Sequence, residues 1–216
     1  MSRLLLIGGH GKVAMLTSPL LTVAGHTVDA VIRNPDHAPA VAATGAGAVV
    51  ADVERMDLDA LTRLVGGHDA VIWSAGAGGG NPARTVAVDR DAAIRSIDAA
   101  VAAGVGRYVM VSYTGSGIDD VPPSNPFHHY AAAKAAADDH LRASPLDWTI
   151  LGPSRLVDGP ATGSIELTDG HATEVPRADV ARVVAAVIDQ PATVGRTIRF
   201  NRGSTPIAEA LARPER

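Results

Sequence analysis

Cysteine is absent from this chain of 216 residues, and its absence excludes disulfides, thiol catalysis and thiolate metal sites. Aromatic residues make up only 3% of the sequence, so the core must be built from Ala, Val, Leu and Ile. Long apolar runs are lacking too, since none approaches the roughly 18 residues that span a bilayer. The N-terminal apolar run is also too short for a signal peptide. We therefore expect a soluble, cytoplasmic protein that does not enter a membrane.

The charges are few and evenly spread. The formal net charge is −4 with no block of like charge, which argues against a nucleic-acid partner and favours a small-molecule substrate. The length and a hydrophobic content of 46% suit a single domain. Within it, residues 152–176 are the best candidate for a small substrate-covering region, because their pattern is the least regular.

Strand and helix patterns alternate along the chain, which predicts an α/β fold with a doubly wound parallel sheet and helices on both faces. In such sheets ligands bind beyond the carboxyl ends of the strands, so the loops that follow the strands are the places to look for chemistry. The predicted strands are 4–7, 26–32, 48–51, 69–73, 107–111, 147–151 and 197–200. The predicted helices begin at about Gly11 and cover 35–44, 58–65, 84–103, 127–143, 177–190 and 207–211.

A glycine-rich turn follows the first strand. The strand-like run Leu4–Ile7 leads into the spacing Gly8-x-x-Gly11-x-x-Ala14, after which apolar residues recur at helical spacing. Glycine lets a diphosphate approach the backbone, and the helix start directs N–H groups at it. An ordinary strand-to-helix turn is the alternative. We interpret the stretch as a dinucleotide site whose diphosphate meets Gly8, Gly9, His10, Gly11, Lys12 and Val13.

The second strand ends in Arg33, at a place where an NAD site usually carries Asp or Glu for the ribose 2′-hydroxyl. An arginine there attracts a 2′-phosphate, so we predict NADP rather than NAD; a solvated loop arginine is the alternative.

After the third strand, Asp52 and Val53 could contact the adenine, or Asp52 could cap the following helix. After the fourth, the small residues Ser74, Ala75, Gly76, Ala77 and Gly78 could lie flat against the cofactor, or form only a flexible connection.

Three further residues suggest catalysis. Ser112 ends the fifth strand, where its hydroxyl could donate to a substrate carbonyl. Tyr130 and Lys134 are four residues apart on a predicted helix and therefore share one face. A nearby ammonium would lower the tyrosine pKa and suit it to proton transfer, although an inert surface pair is the alternative. His128 and His129 have no evident third ligand, so we predict no metal site.

These motifs together resemble the atypical NAD(P)H-binding branch of the short-chain dehydrogenases/reductases. The resemblance covers nearly the whole chain and implies a Rossmann-type fold with NADP along the carboxyl ends of the strands. It implies that Tyr130 is the proton donor, that Lys134 holds the nicotinamide ribose and lowers the Tyr130 pKa, that Ser112 orients the substrate, and that Pro153 borders the cofactor. It is carried by residues 6–14, 31–34, 52–53, 88–89, 103–112, 130–134, 148–153 and 177–181.

Three functions remain open at this point. The first is an NADP-dependent oxidoreductase that transfers hydride to a small carbonyl or quinone-like substrate. The second is a non-catalytic module that senses the redox state of NADP(H). The third, an epimerase or dehydratase, would need a larger substrate region and an acid after the second strand, and neither is visible. The alanine-rich helices 84–103 and 128–143 could pair between subunits or pack within one, so a monomer and a homodimer are both open.

Overall fold

The computed structural model describes residues 1–77, 81–117 and 121–212. Six strands run in parallel through most of the chain: β1 (Arg3–Ile7), β2 (Thr27–Ile32), β3 (Gly47–Val50), β4 (Ala70–Trp73), β5 (Arg107–Val111) and β6 (Asp147–Pro153). Five more follow: β7 (Arg155–Val157), β8 (Ser164–Leu167), β9 (Glu174–Pro176), β10 (Arg196–Arg202) and β11 (Thr205–Pro206).

The main sheet has the strand order β11-β8-β10-β6-β5-β4-β1-β2-β3. The pairs from β3 across to β10 are parallel, and β8 is antiparallel to both of its neighbours, β10 and β11. β7 and β9 form a separate parallel pair. The predicted doubly wound, Rossmann-type α/β fold is confirmed. Because the order reverses between β1 and β4, the loops after these two strands border the crevice in which such folds bind ligands.

Helices cover both faces of the sheet. They are α1 (Lys12–Val23), α2 (Ala38–Ala42), α3 (Leu58–Val65), α4 (Pro82–Thr85), α5 (Ala93–Ala102), α6 (His128–Arg142), α7 (Arg177–Ile188) and α8 (Ile207–Ala212). Among the described residues no helix combines the length and apolar character needed to cross a bilayer.

Alternation along β1 explains the two-sided core. Leu4 and Leu6 join the cluster formed with α1, α7 and α8, whereas Leu5 and Ile7 join the cluster formed with α3, α5 and α6. All four side chains are fully buried, as expected for a central strand of a parallel sheet.

Several predicted boundaries differ from the structure. The predicted helix 84–103 is a run of three pieces, α4, a π-helical turn at Val86–Ala92 and α5. The predicted helix 35–44 is a 3₁₀ turn at Pro35–His37 followed by the short α2. Strands β7, β8 and β9 lie in the 152–176 region, for which no strands were predicted, because segments of three or four residues carry little periodicity.

Candidate active site

A cavity of about 850 Å³ lies at the carboxyl ends of the parallel strands. It is bounded by the loops after β1, β4 and β5, by α6, and by Leu156 and Arg177 on the far side. Its wall is mostly apolar. It brings together the predicted residues Gly11, Lys12, Val13, Ser74, Ala75, Gly76, Ser112, Tyr130 and Lys134.

The glycine turn is shaped by close packing. Gly8 has φ +88°, and a Cβ at this position would lie 2.7 Å from backbone atoms of Ala75. A Cβ on Gly9 would lie 2.7 Å from the Cβ of Ala30. These two glycines are therefore required by the packing of the loop, while Gly11 borders the cavity itself.

Gly11 precedes α1, and within the described chain no side chain caps the helix start. The first N–H groups of α1 lack intrahelical acceptors. They lie at the cavity wall beside Gly11, which has no side chain to keep a ligand away from the backbone. This arrangement fits the diphosphate of a dinucleotide.

A second, smaller cavity of about 210 Å³ adjoins the first through Ala75, Gly76 and Ala77. Arg33, Asp52 and Val53, the residues predicted for the adenosine end of a cofactor, line it together with Gly8 of the predicted diphosphate turn. Sequence analysis missed Glu54 in this wall. Its carboxylate lies 3.6 Å from Arg33 Nη1 and 3.3 Å from Arg84 Nη2.

Asp52 does not cap the following helix, so that alternative is wrong. Its carboxylate accepts a 3.3 Å hydrogen bond from the Glu54 N–H and lies 3.5 Å from Arg55. The cap of α3 is Asp57, whose side chain accepts from the Ala60 N–H at 2.8 Å. Asp52 therefore stabilises the turn that forms the wall of the smaller cavity.

The loop after β4 is held by a residue that sequence analysis did not assign. The buried carboxylate of Asp89 accepts from the Ala77 N–H at 3.0 Å, and a Cβ on Gly76 would lie 3.1 Å from Asp89 Oδ1. Burial raises the Asp89 pKa, and the charge of Lys134 opposes that rise. Gly78 of the predicted loop lies outside the described residues.

Lys134 is 1% exposed, and its ammonium donates to the Val111 carbonyl oxygen at 2.9 Å. Tyr130, one turn earlier, is half-buried at the cavity wall. Its pKa is raised by burial and further by the negative charges of Asp89 and Asp138. The predicted lowering of the Tyr130 pKa by Lys134 is therefore wrong, because the ammonium is directed at β5 and the nearby carboxylates oppose its effect.

The Ser112 hydroxyl has a different partner from the one predicted. It donates to Asp138 Oδ2 at 2.6 Å, and Ser116 donates to the same oxygen at 2.5 Å. The expectation that this hydroxyl donates to a substrate carbonyl is contradicted, since a hydroxyl has one proton to give. Asp138 is fully buried four residues after Lys134, so the same-face spacing that linked Tyr130 to Lys134 could have indicated it.

Aromatic side chains are concentrated at the cavity. The rings of Tyr113, Phe127 and Tyr130 lie 5.2–5.5 Å apart in edge and tilted contacts. Phe127 keeps 43% of its surface exposed at the cavity wall. In a chain so poor in aromatic residues, this cluster forms a concentrated apolar contact surface.

His10 and Pro153 are not among the residues that line the large cavity, whereas Lys12 is. His10 is exposed and stacks on His37 with 3.7 Å between ring centroids. Lys12 lies 3.6 Å from Asp158, which also pairs with Arg177 at 2.7 Å. Pro153 is buried at the end of β6, where its carbonyl accepts from the Thr114 N–H; it is not one of the residues that line the large cavity.

Among the described residues no group of three or more His, Asp or Glu side chains could hold a metal ion. His128 instead donates from Nδ1 to the Val121 carbonyl oxygen at 2.6 Å.

Comparison with known proteins agrees with this geometry. The chain is 34% identical to the Bacillus subtilis protein named "Uncharacterized sugar epimerase YhfK", over 97% of this chain and 98% of the relative. A solved structure titled "Putative NAD-dependent epimerase/dehydratase from Bacillus halodurans" is 34% identical with TM-score 0.90, covering 98% of this chain and 99% of that chain. The Lactococcus lactis oxidoreductase ylbE is 25% identical with TM-score 0.85, covering 97% and 94%.

A family model described as NAD(P)H-binding matches residues 8–191, which contain the glycine turn and both cavities. The predicted resemblance to the atypical branch of the short-chain dehydrogenases/reductases is confirmed, and the family match supports a nicotinamide dinucleotide as the cofactor. The chain belongs to the NAD(P)H-binding protein family.

Proposed function

We propose that this protein is an NADPH-dependent oxidoreductase that reduces a small apolar carbonyl or quinone-like substrate in the large cavity. The observation that carries the proposal is the presence of Tyr130 and Lys134 in the same cavity wall as the glycine turn. When bound, NADPH supplies the hydride. The Tyr130 hydroxyl supplies the proton to the substrate oxygen, so an aldehyde or ketone C=O becomes CH–OH and a quinone becomes its hydroquinone.

Tyr130 carries its proton before the reaction. Burial and the neighbouring carboxylates raise its pKa, so the phenol is protonated at neutral pH. It can still give its proton to the alkoxide that hydride addition forms, which is the stronger base. The aromatic cluster and the apolar wall would exclude water from the reacting carbon and favour an apolar substrate. Lys134, fixed on the Val111 carbonyl, compensates part of the buried negative charge.

The preference for NADP over NAD rests on the smaller cavity. Arg33 stands at its rim with 58% of its side chain exposed, so it can turn from Glu54 toward a 2′-phosphate at little cost. Calorimetric titration should give a lower Kd for NADPH than for NADH, and Arg33→Ala should remove most of the difference. Arg55→Ala, in the loop after β3 and 87% exposed, is the matched control.

Catalysis is tested by following nicotinamide absorbance with a panel of aldehydes, ketones and quinones. Tyr130→Phe should bind NADPH as wild type does and lose at least about 100-fold in kcat, the usual contribution of a general acid. Tyr113→Phe is the control, since its ring lies 5.5 Å from that of Tyr130 and the chemical change is the same. Equal rates for wild type and Tyr130→Phe would refute the role of Tyr130.

A second function is favoured by the names of the two relatives that are 34% identical, which describe epimerases or dehydratases. Such a reaction oxidises and then reduces one substrate, so it leaves no net change in the cofactor. A cavity with this aromatic wall is a poor match for the hydroxyl groups of a sugar, and we therefore place epimerisation second. Epimerisation would be supported if the cofactor binds and product forms while the cofactor is not consumed. The redox-sensing module would be supported if the cofactor binds and no product forms.

A further inference from the structure

Ser112, Ser116 and Asp138 form a buried hydrogen-bonded cluster behind the large cavity. Both hydroxyls donate to the same oxygen, Asp138 Oδ2, at 2.6 and 2.5 Å. These lengths are typical of a hydroxyl that donates to an ionised carboxylate. All three side chains are at most 6% exposed, so water does not compete for these bonds.

The segment that carries Ser116 is fixed from outside the cluster. Arg199 of β10 donates to the carbonyl oxygens of Thr114 and Ser116, at 2.9 and 3.1 Å. The Thr114 N–H donates to the Pro153 carbonyl of β6. The hydroxyl of Ser116 is therefore held against Asp138 by two strands, and the geometry around Oδ2 is rigid.

A serine hydroxyl has one proton and two lone pairs. Because the Ser112 proton is donated to Asp138, Ser112 has only acceptor capacity left for a ligand, and it lines the large cavity. Tyr130, by contrast, keeps its proton and can donate. The cavity thus offers a ligand one hydrogen-bond donor, the Tyr130 hydroxyl, and one acceptor, the Ser112 hydroxyl oxygen.

We propose that Asp138 is a positioning residue that fixes Ser112 as a hydrogen-bond acceptor, so that the cavity selects substrates carrying a hydroxyl or N–H donor beside the reacting carbonyl. This deepens the proposed function and rests on it for the role of Tyr130. The carbonyl oxygen accepts from Tyr130 while the neighbouring donor binds Ser112. A simple ketone leaves the Ser112 lone pairs unpaired and binds less well.

The first test uses two probes that differ by one hydroxyl, acetophenone and 2-hydroxyacetophenone, titrated calorimetrically into the protein saturated with NADP⁺. Wild type should bind the hydroxyketone about tenfold more tightly, the discrimination expected from one added hydrogen bond. In Asp138→Asn the amide N–H₂ can donate to Ser112, which frees the serine proton for the ligand. The ratio of the two Kd values should then fall to about one to threefold.

Asp139→Asn is the matched control, because it makes the same chemical change at the next position, where the side chain is 72% exposed. Its Kd ratio should equal that of wild type. Equal Kd values for the two probes in wild type, failure of both to bind, or an unchanged ratio in Asp138→Asn would each overturn the proposal.

The second test needs no ligand. Carbon-detected NMR of the Asp138 carboxyl group should show a higher pKa in Ser112→Ala and in Ser116→Ala than in wild type, since each variant removes a donor to the carboxylate. Ser144→Ala, whose hydroxyl donates to the Leu141 carbonyl, should leave it unchanged. An unchanged pKa in Ser112→Ala would refute the Ser112 geometry even if the enzyme is active. If the Asp138 pKa rises in Ser112→Ala but the protein never consumes NADPH, the Ser112 geometry is retained and only the proposed reaction is rejected.

Discussion

The ammonium of Lys134 donates a 2.9 Å hydrogen bond to the carbonyl oxygen of Val111, the last residue of β5. This contact places a buried positive charge at the end of a central strand. Burial raises the pKa values of the carboxyl groups of Asp89 and Asp138, and the charge of Lys134 opposes that rise in both. Lys134 therefore has a structural role that is independent of any substrate.

Lys134→Met should destabilise the fold by about 1–3 kcal/mol, because it leaves the Val111 carbonyl without its donor and removes the positive charge that opposes the raised pKa values of Asp89 and Asp138. Urea unfolding measures the loss. Lys12→Met changes the chain's other lysine, which is 72% exposed, and should alter the free energy of unfolding by less than about 0.5 kcal/mol. The double variant Lys134→Met/Asp138→Asn should recover part of the loss, and a Lys134→Met variant as stable as wild type would contradict the charge argument.

Asp89 makes a distinct contribution to the pH dependence of stability. The Asp89 pKa is near 3.8 in the unfolded state and is raised in the folded state. At a pH between these two pKa values, the native state binds more protons than the unfolded state does. The free energy of unfolding of wild type should therefore fall, relative to that of Asp89→Asn, as the pH rises through this window. Urea unfolding at a series of pH values measures the difference, and the exposed neighbour Asp91→Asn should run parallel to wild type.

Gly8 should tolerate no side chain. Gly8→Ala combines a φ of +88° with a Cβ 2.7 Å from the Ala75 backbone, and we expect it to lose more than about 1–2 kcal/mol of stability. Gly106→Ala is the control, because a Cβ there meets nothing within 4 Å. Thermal unfolding compares the two variants, and a Gly8→Ala protein with an unchanged Tm would show that the loops after β1 and β4 can separate without cost.

Glu54 restrains the arginine that we assign to the 2′-phosphate. Its carboxylate lies 3.6 Å from Arg33 Nη1 and adds negative charge to the same cavity. Glu54→Gln should therefore lower the Kd for NADPH by about threefold to tenfold and leave that for NADH nearly unchanged, as expected for one partly screened ion pair. Calorimetric titration with both cofactors tests this, and weaker NADH binding in the variant would place Glu54 on the ribose hydroxyls instead.

The sequence was sufficient to predict a doubly wound parallel sheet and the loops that form the cavities. Buried parallel strands are short apolar runs, and their ends are marked by Gly8, Gly11 and the small residues from Ser74. It was insufficient for the hydrogen bonds that set the chemistry. Ser112 and Asp138 are 26 positions apart, and only the packing of α6 on β5 brings them together. Spacing on one helix could pair Tyr130 with Lys134. It could not reveal the burial of Tyr130, which is the largest cause of the raised tyrosine pKa.

That direction can be measured directly. Spectrophotometric titration of wild type against Tyr130→Phe isolates the phenolate of Tyr130, and we expect it to form only above the pH at which an ordinary tyrosine ionises, about 10. Asp89→Asn should move the transition to lower pH, since the charge of Asp89 is one cause of the rise. In Tyr113→Phe the Tyr130 phenolate should still form above the ordinary pH, because burial raises the Tyr130 pKa more than Tyr113 does. A phenolate that forms below the ordinary pH would instead show that Lys134 dominates, and Tyr130 would then be suited to remove a proton from an alcohol rather than to give one to a carbonyl.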